Sequence, residues 1–180
     1  MRARRTTTLL FGIAVALLSA SGCSSGKPHP VTTPNAADKA FLQDMIPHHQ
    51  QAIAAAQVAI THGHDARVTA FGSRIVSEQS PELAKLKQAG ADLHLDLTAG
   101  AMQTMHVITP PELTALSALT GAAFDRRFLQ LSITSEQGAA AMARTELSGG
   151  RDPAALALAK AISGAPTSEI PKLQQLLADL

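Results

Sequence analysis

The sequence predicts an all-α fold, a four-helix bundle built from two tandem helix-hairpin repeats, and three observations point there. Alanine and leucine dominate, tryptophan and tyrosine are absent and β-branched residues are sparse, a composition that favours closely packed helices over a sheet. Apolar residues recur at helical spacing, as in the series Leu42, Met45, Ile46, His49, Ile53, Ala56 and Ile60. The chain also matches itself without gaps at an offset of 87, Asp38–Gln88 upon Asp125–Gln175, with 17 of 51 positions identical. Alanine inflates such a count, but the pairs Asp38/Asp125, Phe41/Phe128, Gly63/Gly150, Asp65/Asp152 and Glu82/Glu169 do not follow from composition.

The elements follow in order. Residues 1–22 read as an export signal: Arg2, Arg4 and Arg5 form a basic start, Leu9 to Leu18 an apolar run, and Ala20-Ser21-Gly22 a small-residue cleavage site. Ala20-Ser21-Gly22-Cys23 resembles a bacterial lipobox, in which the cysteine is lipidated and becomes the new N-terminus. Competing readings are an ordinary signal or a single membrane span with a chance cysteine. The run is short for a bilayer, and Cys23 is the one cysteine in the chain and sits where cleavage is expected. The protein is thus expected to be exported and anchored by Cys23 to the extracytoplasmic face of a bacterial membrane.

Residues 23–35 are rich in proline, glycine and small polar residues and read as a tether. The bundle is expected over 36–180: repeat one at 38–88, a connection at 89–123 and repeat two at 124–180. Within each repeat, Gly63 with Asp65, and Gly150 with Asp152, mark a turn whose aspartate caps the next helix. Pro81 is expected to interrupt and kink the second helix, and Pro111-Glu112 to open a short extra one.

Removing Met1 to Gly22 takes away three of the 15 Lys and Arg and none of the 14 Asp and Glu. The mature formal charge is therefore 12 − 14 = −2, with the basic residues scattered, which excludes DNA and RNA as partners. A single cysteine allows no internal disulfide, so stability must come from helix packing.

Histidines carry the chemistry. All 7 lie at or before His106, so repeat two has none. His48 and His49 stand about 100° apart on one helix with Met45 a turn earlier. Imidazole with thioether suits a soft ion such as Cu(I) outside the cytoplasm. His49 also reads as an ordinary core histidine with one satisfied nitrogen. Its repeat mate is Glu136, and pseudo-twofold symmetry would let the two meet, so a His49–Glu136 hydrogen bond or shared ligand is expected. His62 and His64 lie in the turn, roughly 21 Å from His48 along a straight helix. His94, Met102, Met105 and His106 in the connection form a secondary soft-metal candidate, or a solvated loop.

No His-Glu-x-x-His, Gly-x-Ser-x-Gly or phosphate-binding loop occurs, and no glutamate precedes a histidine at di-iron spacing. A non-enzymatic protein is expected. An oxidase-like alternative would need Glu78, Glu82 and Glu169 to converge.

The run Asp38-Lys-Ala-Phe-Leu-Gln-Asp-Met45-Ile-Pro-His48-His49-Gln-Gln-Ala-Ile53, with Phe124-Asp125-Arg-Arg-Phe128-Leu129 further on, resembles the DUF305 family. The resemblance covers almost all of residues 36–180. It implies a ferritin-like duplicated bundle, often exported and associated with copper handling. Met45, His48 and His49 match the family motif. The family's second His-His pair is Ser135-Glu136 here, its methionine Ser132; a further methionine becomes Ala55 in copy one and stays as Met142 in copy two. The implied function is an anchored extracytoplasmic lipoprotein binding copper or a similar soft ion for buffering or resistance. The alternative is a metal-free interaction or scaffold lipoprotein of the cell envelope whose metal site has decayed.

Overall fold

A computed structural model describes residues 33–97 and 107–180. Within it lie four long helices and one short one: α1 (Ala36–His62), α2 (Ala66–Asp92), α3 (Pro110–Ser117), α4 (Gly121–Gly149) and α5 (Pro153–Ala178). Cys23, the export signal and most of the tether fall outside the described residues, as do Met102, Met105 and His106. No helix among the described residues is long and apolar enough to cross a membrane.

The helix starts are chemically specified. Asn35 caps α1 by accepting from the backbone of Ala37 and Asp38, while Asp38 reaches back to the Asn35 N–H. Asp65 and Asp152 cap α2 and α5 from the two repeat turns, as the sequence predicts. Thr109 and Glu112 form a second capping box at α3, which begins at Pro110. The interruption expected at Pro81 does not occur, since α2 runs through it, as α1 runs through Pro47 and α5 through Pro166 and Pro171. A proline releases the carbonyl four residues back. For Pro81 and Pro171 those belong to Ser77 and Thr167, both exposed, so water can take them and packing on neighbouring helices outweighs the loss.

Each repeat folds as a hairpin, α1 on α2 and α4 on α5, and α1 packs against α4 to join them. Two buried aspartates fix this junction. Asp38, at the start of α1, accepts from the backbone N–H groups of Arg151 (2.8 Å) and Asp152 (2.9 Å) in the turn of repeat two. Its mate Asp125, at the start of α4, accepts from His64 (2.9 Å) and Asp65 (2.8 Å) in the turn of repeat one. The start of each first helix thus meets the end of the other, so α1 and α4 are antiparallel about a pseudo-twofold axis.

Because α1 touches both α2 and α4, its buried surface is broader than one stripe. His48, Ala52, Ala55 and Ala59 are buried, whereas Ile60 from the predicted stripe is exposed. Small residues permit the contact to be close: a Cβ on Gly72 would stand 2.9 Å from the Ala56 carbonyl oxygen. The apolar core forms two clusters. One contains Phe71, Phe124, Phe128 and Leu129, the other Phe41, Leu42, Met45 and Leu86.

One buried carboxyl departs from the symmetry. Glu146, fully buried, occupies the repeat position of Ala59 and lies beside Asp38. Burial first, then the neighbouring Asp38 carboxylate and the charge of Asp152, push Glu146 up to about 8. Burial alone would raise Asp38 too, but the backbone N–H groups of Asp152, Arg151 and Asn35, with Glu146, outweigh it and lower its pKa. The proton between them therefore rests on Glu146.

Two outcomes follow for stability. Asp125→Ala strips two part-buried backbone N–H groups of their carboxylate acceptor and should cost about 1–3 kcal/mol in urea unfolding; a loss below ~0.5 kcal/mol would show the junction does not depend on it. The folded chain holds the Glu146 proton more tightly than the unfolded one, so this group's contribution is complete below about pH 4.5 and falls as pH rises toward 8. Glu146→Gln keeps a neutral group of the same shape beside Asp38 and removes that loss. Its advantage over wild type should be small at pH 5 and grow toward pH 8 by up to about 1.4 kcal/mol per pH unit, and a difference constant with pH would contradict the assignment.

Candidate metal centre

The antiparallel register brings residue 48 of α1 level with its own mate, 135 of α4. His48 Nε2 lies 3.0 Å from the Ser135 carbonyl oxygen and 3.2 Å from its hydroxyl. A carbonyl can only accept, so Nε2 carries the proton and Nδ1 is left as a bare lone pair. That Nδ1 is buried and has no protein hydrogen-bond partner. Burial, followed by the neighbouring His49, lowers the His48 pKa to about 4 against the opposing pull of the Ser135 carbonyl. His48 is therefore neutral at physiological pH, the state in which an imidazole binds metal.

His49 turns toward α2. Its Nε2 lies 3.2 Å from a carboxylate oxygen of Glu82, and its Nδ1 is likewise buried without a protein partner. Both rings are 2% exposed, their centroids stand 6.1 Å apart at 56°, and Met45, fully buried, sits one turn earlier on the same helix. With metal–nitrogen bonds of about 2 Å, two imidazoles sharing an ion have centroids roughly 6 Å apart, so the separation fits. Among the described residues no three His, Cys, Asp or Glu side chains are gathered closely enough to hold an ion. A site here would need a donor outside that set, such as the Met45 thioether one turn away, which would favour soft ions over hard ones.

The expected hydrogen bond between His49 and Glu136 is replaced by the one to Glu82. The pair on the pseudo-twofold axis is 48 with 135, and a step of about 100° along each helix swings 49 and 136 off the axis. Glu136 nevertheless lines the same cavity as His49, a space of about 50 Å³ shared with Gln79, Glu82 and Glu169. Gln79 donates to it at 3.5 Å. Burial first, then repulsion from Glu169, raise Glu136 to about 7, with Arg74 opposing and Glu82 and Glu78 adding. Glu169 is held by the Arg74 guanidinium, which also covers the Phe71 ring at 5.2 Å. Glu78, Glu82 and Glu169 thus share one cavity, but not the tight convergence an oxidase-like centre requires.

The other sequence candidates are dispersed. Met142 is half-buried against the apolar cluster that contains Met45. His94 is exposed beyond the end of α2, at φ 53°, and is not brought to the buried pair. His62 stacks on Phe124, and the His64 backbone serves the Asp125 junction. The roles of Glu82 and of the Ser135 carbonyl were not read from the sequence. Counting outward from the Gly63 turn along both helices puts Ser77 level with His49 and Glu82 about a turn beyond it, so spacing gave no cue to that pair; a backbone carbonyl leaves no mark in a sequence.

The DUF305 family model, described as a domain of unknown function, matches residues 38–177. Among solved structures, a DUF305 protein of Streptomyces coelicolor shares 24% identity over 79% of this chain and 93% of its own, with a TM-score of 0.72. A DUF305 fragment from Deinococcus radiodurans shares 23% identity over 83% of this chain and 100% of its own, with a TM-score of 0.75. CopM in its Cu(I)-bound form shares 24% identity over 79% and 96%, with a TM-score of 0.66. Comparison with curated protein sequences finds no match. At such identities the likeness to solved structures speaks for the helical fold, and the family match spans nearly the whole bundle: the chain belongs to the DUF305 family.

Proposed function

We propose that this protein is an extracytoplasmic lipoprotein, anchored through Cys23, that binds Cu(I) or a similarly soft ion at Met45, His48 and His49 for buffering or resistance, without catalysing a reaction. The observation that carries the reading is the pair of buried Nδ1 atoms without protein partners, on adjacent residues one turn from a buried thioether. A buried lone pair left without a partner is costly, and binding a soft cation would relieve that cost. CopM, of the same fold, has structures in Cu(I)-bound, Cu(II)-bound and Ag-bound forms, which supports the choice of ion.

The residues of this chain divide the work. His48 is neutral and oriented by Ser135, His49 is oriented by Glu82, and Met45 supplies sulfur in a place closed to bulk water. Repeat two carries Ser132, Ser135 and Glu136 at the equivalent positions, so one ion per chain is expected. A metal-free envelope scaffold is favoured by one observation, that each Nε2 is already satisfied within the protein.

Anaerobic Cu(I) titration against a competing chelator separates the two. Wild-type domain should compete for about one equivalent, and Met45→Leu, His48→Ala, His49→Ala should lose that binding while circular dichroism shows it still helical. Failure of the wild type to compete would leave the scaffold reading standing. For the anchor, Cys23→Ser should move the protein from the membrane fraction to the soluble one; unchanged fractionation would rule out lipid at Cys23.

A further inference from the structure

We infer that Glu82 is the positioning residue of this site: its carboxylate fixes His49 as the Nε2–H tautomer and so presents the Nδ1 lone pair to the ion. The inference rests on the soft-metal reading above and goes beyond it, since Glu82 binds no ion itself.

Three observations carry it. The Glu82 oxygen stands 3.2 Å from His49 Nε2, and among the described residues His49 is its one hydrogen-bond and ion-pair partner. The other acidic groups of the cavity are otherwise engaged: Glu169 and Glu78 face Arg74, and Glu136 takes Gln79. His48 owes its tautomer to a backbone carbonyl, whereas His49 owes its own to a side chain one substitution can remove. An ionised carboxylate accepts and never donates, so its partner nitrogen must carry the proton. A hydrogen bond of this kind both orients a ligating imidazole and raises its basicity, and its loss typically weakens metal binding 10–100-fold.

Repeat symmetry sharpens the point. Glu82 and Glu169 are mates, as are His49 and Glu136. Where the histidine is present, the glutamate bonds it; where glutamate replaces it, Glu169 is neutralised by Arg74 instead. The acidic position after the proline-containing stretch is thus kept in both repeats with different partners.

The test uses Glu82→Gln, whose amide oxygen can still accept from Nε2–H, and Glu82→Ala, which cannot. In metal-free protein carrying 15N-labelled histidine, wild type and Glu82→Gln should show His49 with Nε2 protonated and Nδ1 bare, while Glu82→Ala shows a mixture. In anaerobic Cu(I) competition, Glu82→Ala should bind about 10–100-fold more weakly and Glu82→Gln should recover most of that loss, with thermal melts confirming that both variants fold. A wild-type His49 protonated at Nδ1, or a Glu82→Ala protein with wild-type tautomer and affinity, would overturn the role of Glu82 alone. A wild type with the predicted tautomer that binds no Cu(I) would instead overturn the metal reading and the ligand role with it.

Discussion

Everything in the bundle is registered by two carboxylates that cross from one repeat to the other. Asp38 and Asp125 each leave their own helix start and bind the backbone of the opposite turn. Charge-assisted hydrogen bonds are strong and geometrically demanding, and a pair of them at each end of α1 and α4 favours one antiparallel register. Sliding by a turn would break all four bonds and leave two buried carboxylates without these donors. From that register follows the meeting of His48 with Ser135, because a residue and its own repeat mate face each other only at a twofold axis.

The same register explains why the polar groups gather where they do. His48, His49, Ser135 and Glu136 stand near the midpoints of the two central helices, with the phenylalanine cluster toward one end and the Met45 cluster containing Phe41 toward the other. A polar layer between apolar clusters survives only if its members are partnered. Here Nε2 of each ring is satisfied while Nδ1 of each is not, and the carboxyl that stands in for a second histidine is raised toward neutrality by burial and by Glu169. The layer is left with two ring nitrogens and the Gln79 amide oxygen without protein partners.

Much of the architecture was legible in the sequence because duplication doubles every cue. The mated glycine and aspartate turns, the apolar spacing and the composition fixed four long helices, and the Pro-Pro-Glu run marked the short one. What the sequence could not show were effects of context. Pro81 reads as a break, yet the carbonyl it frees belongs to the exposed Ser77 and α2 continues. Ile60 reads as core, yet it falls outside the two faces that α1 buries. The histidines were visible as ligand types, but their orientation depends on which side of the axis each one falls, a matter of 100° that no spacing rule resolves before the register is known. Asp38 and Asp125 stood out as an identical pair, without any hint that each serves the other repeat.

The histidine-free repeat is then no idle copy. It carries no imidazole of its own, and what stands at the mated positions is placed against those of repeat one: the Ser135 carbonyl sets the His48 tautomer, and Glu136 with Glu169 lines the cavity next to His49. A monovalent cation entering a neutral set of two imidazoles and a thioether carries a charge into a poorly solvated interior, and such a charge is costly unless a compensating one lies close. On the proposed reading, Glu82 and the partly ionised Glu136, which line the cavity beside His49, would supply it. Divergence of a duplicated hairpin would in this way turn two equal sites into one site with a wall, the first repeat holding the ligands and the second holding their protons and their charge in place.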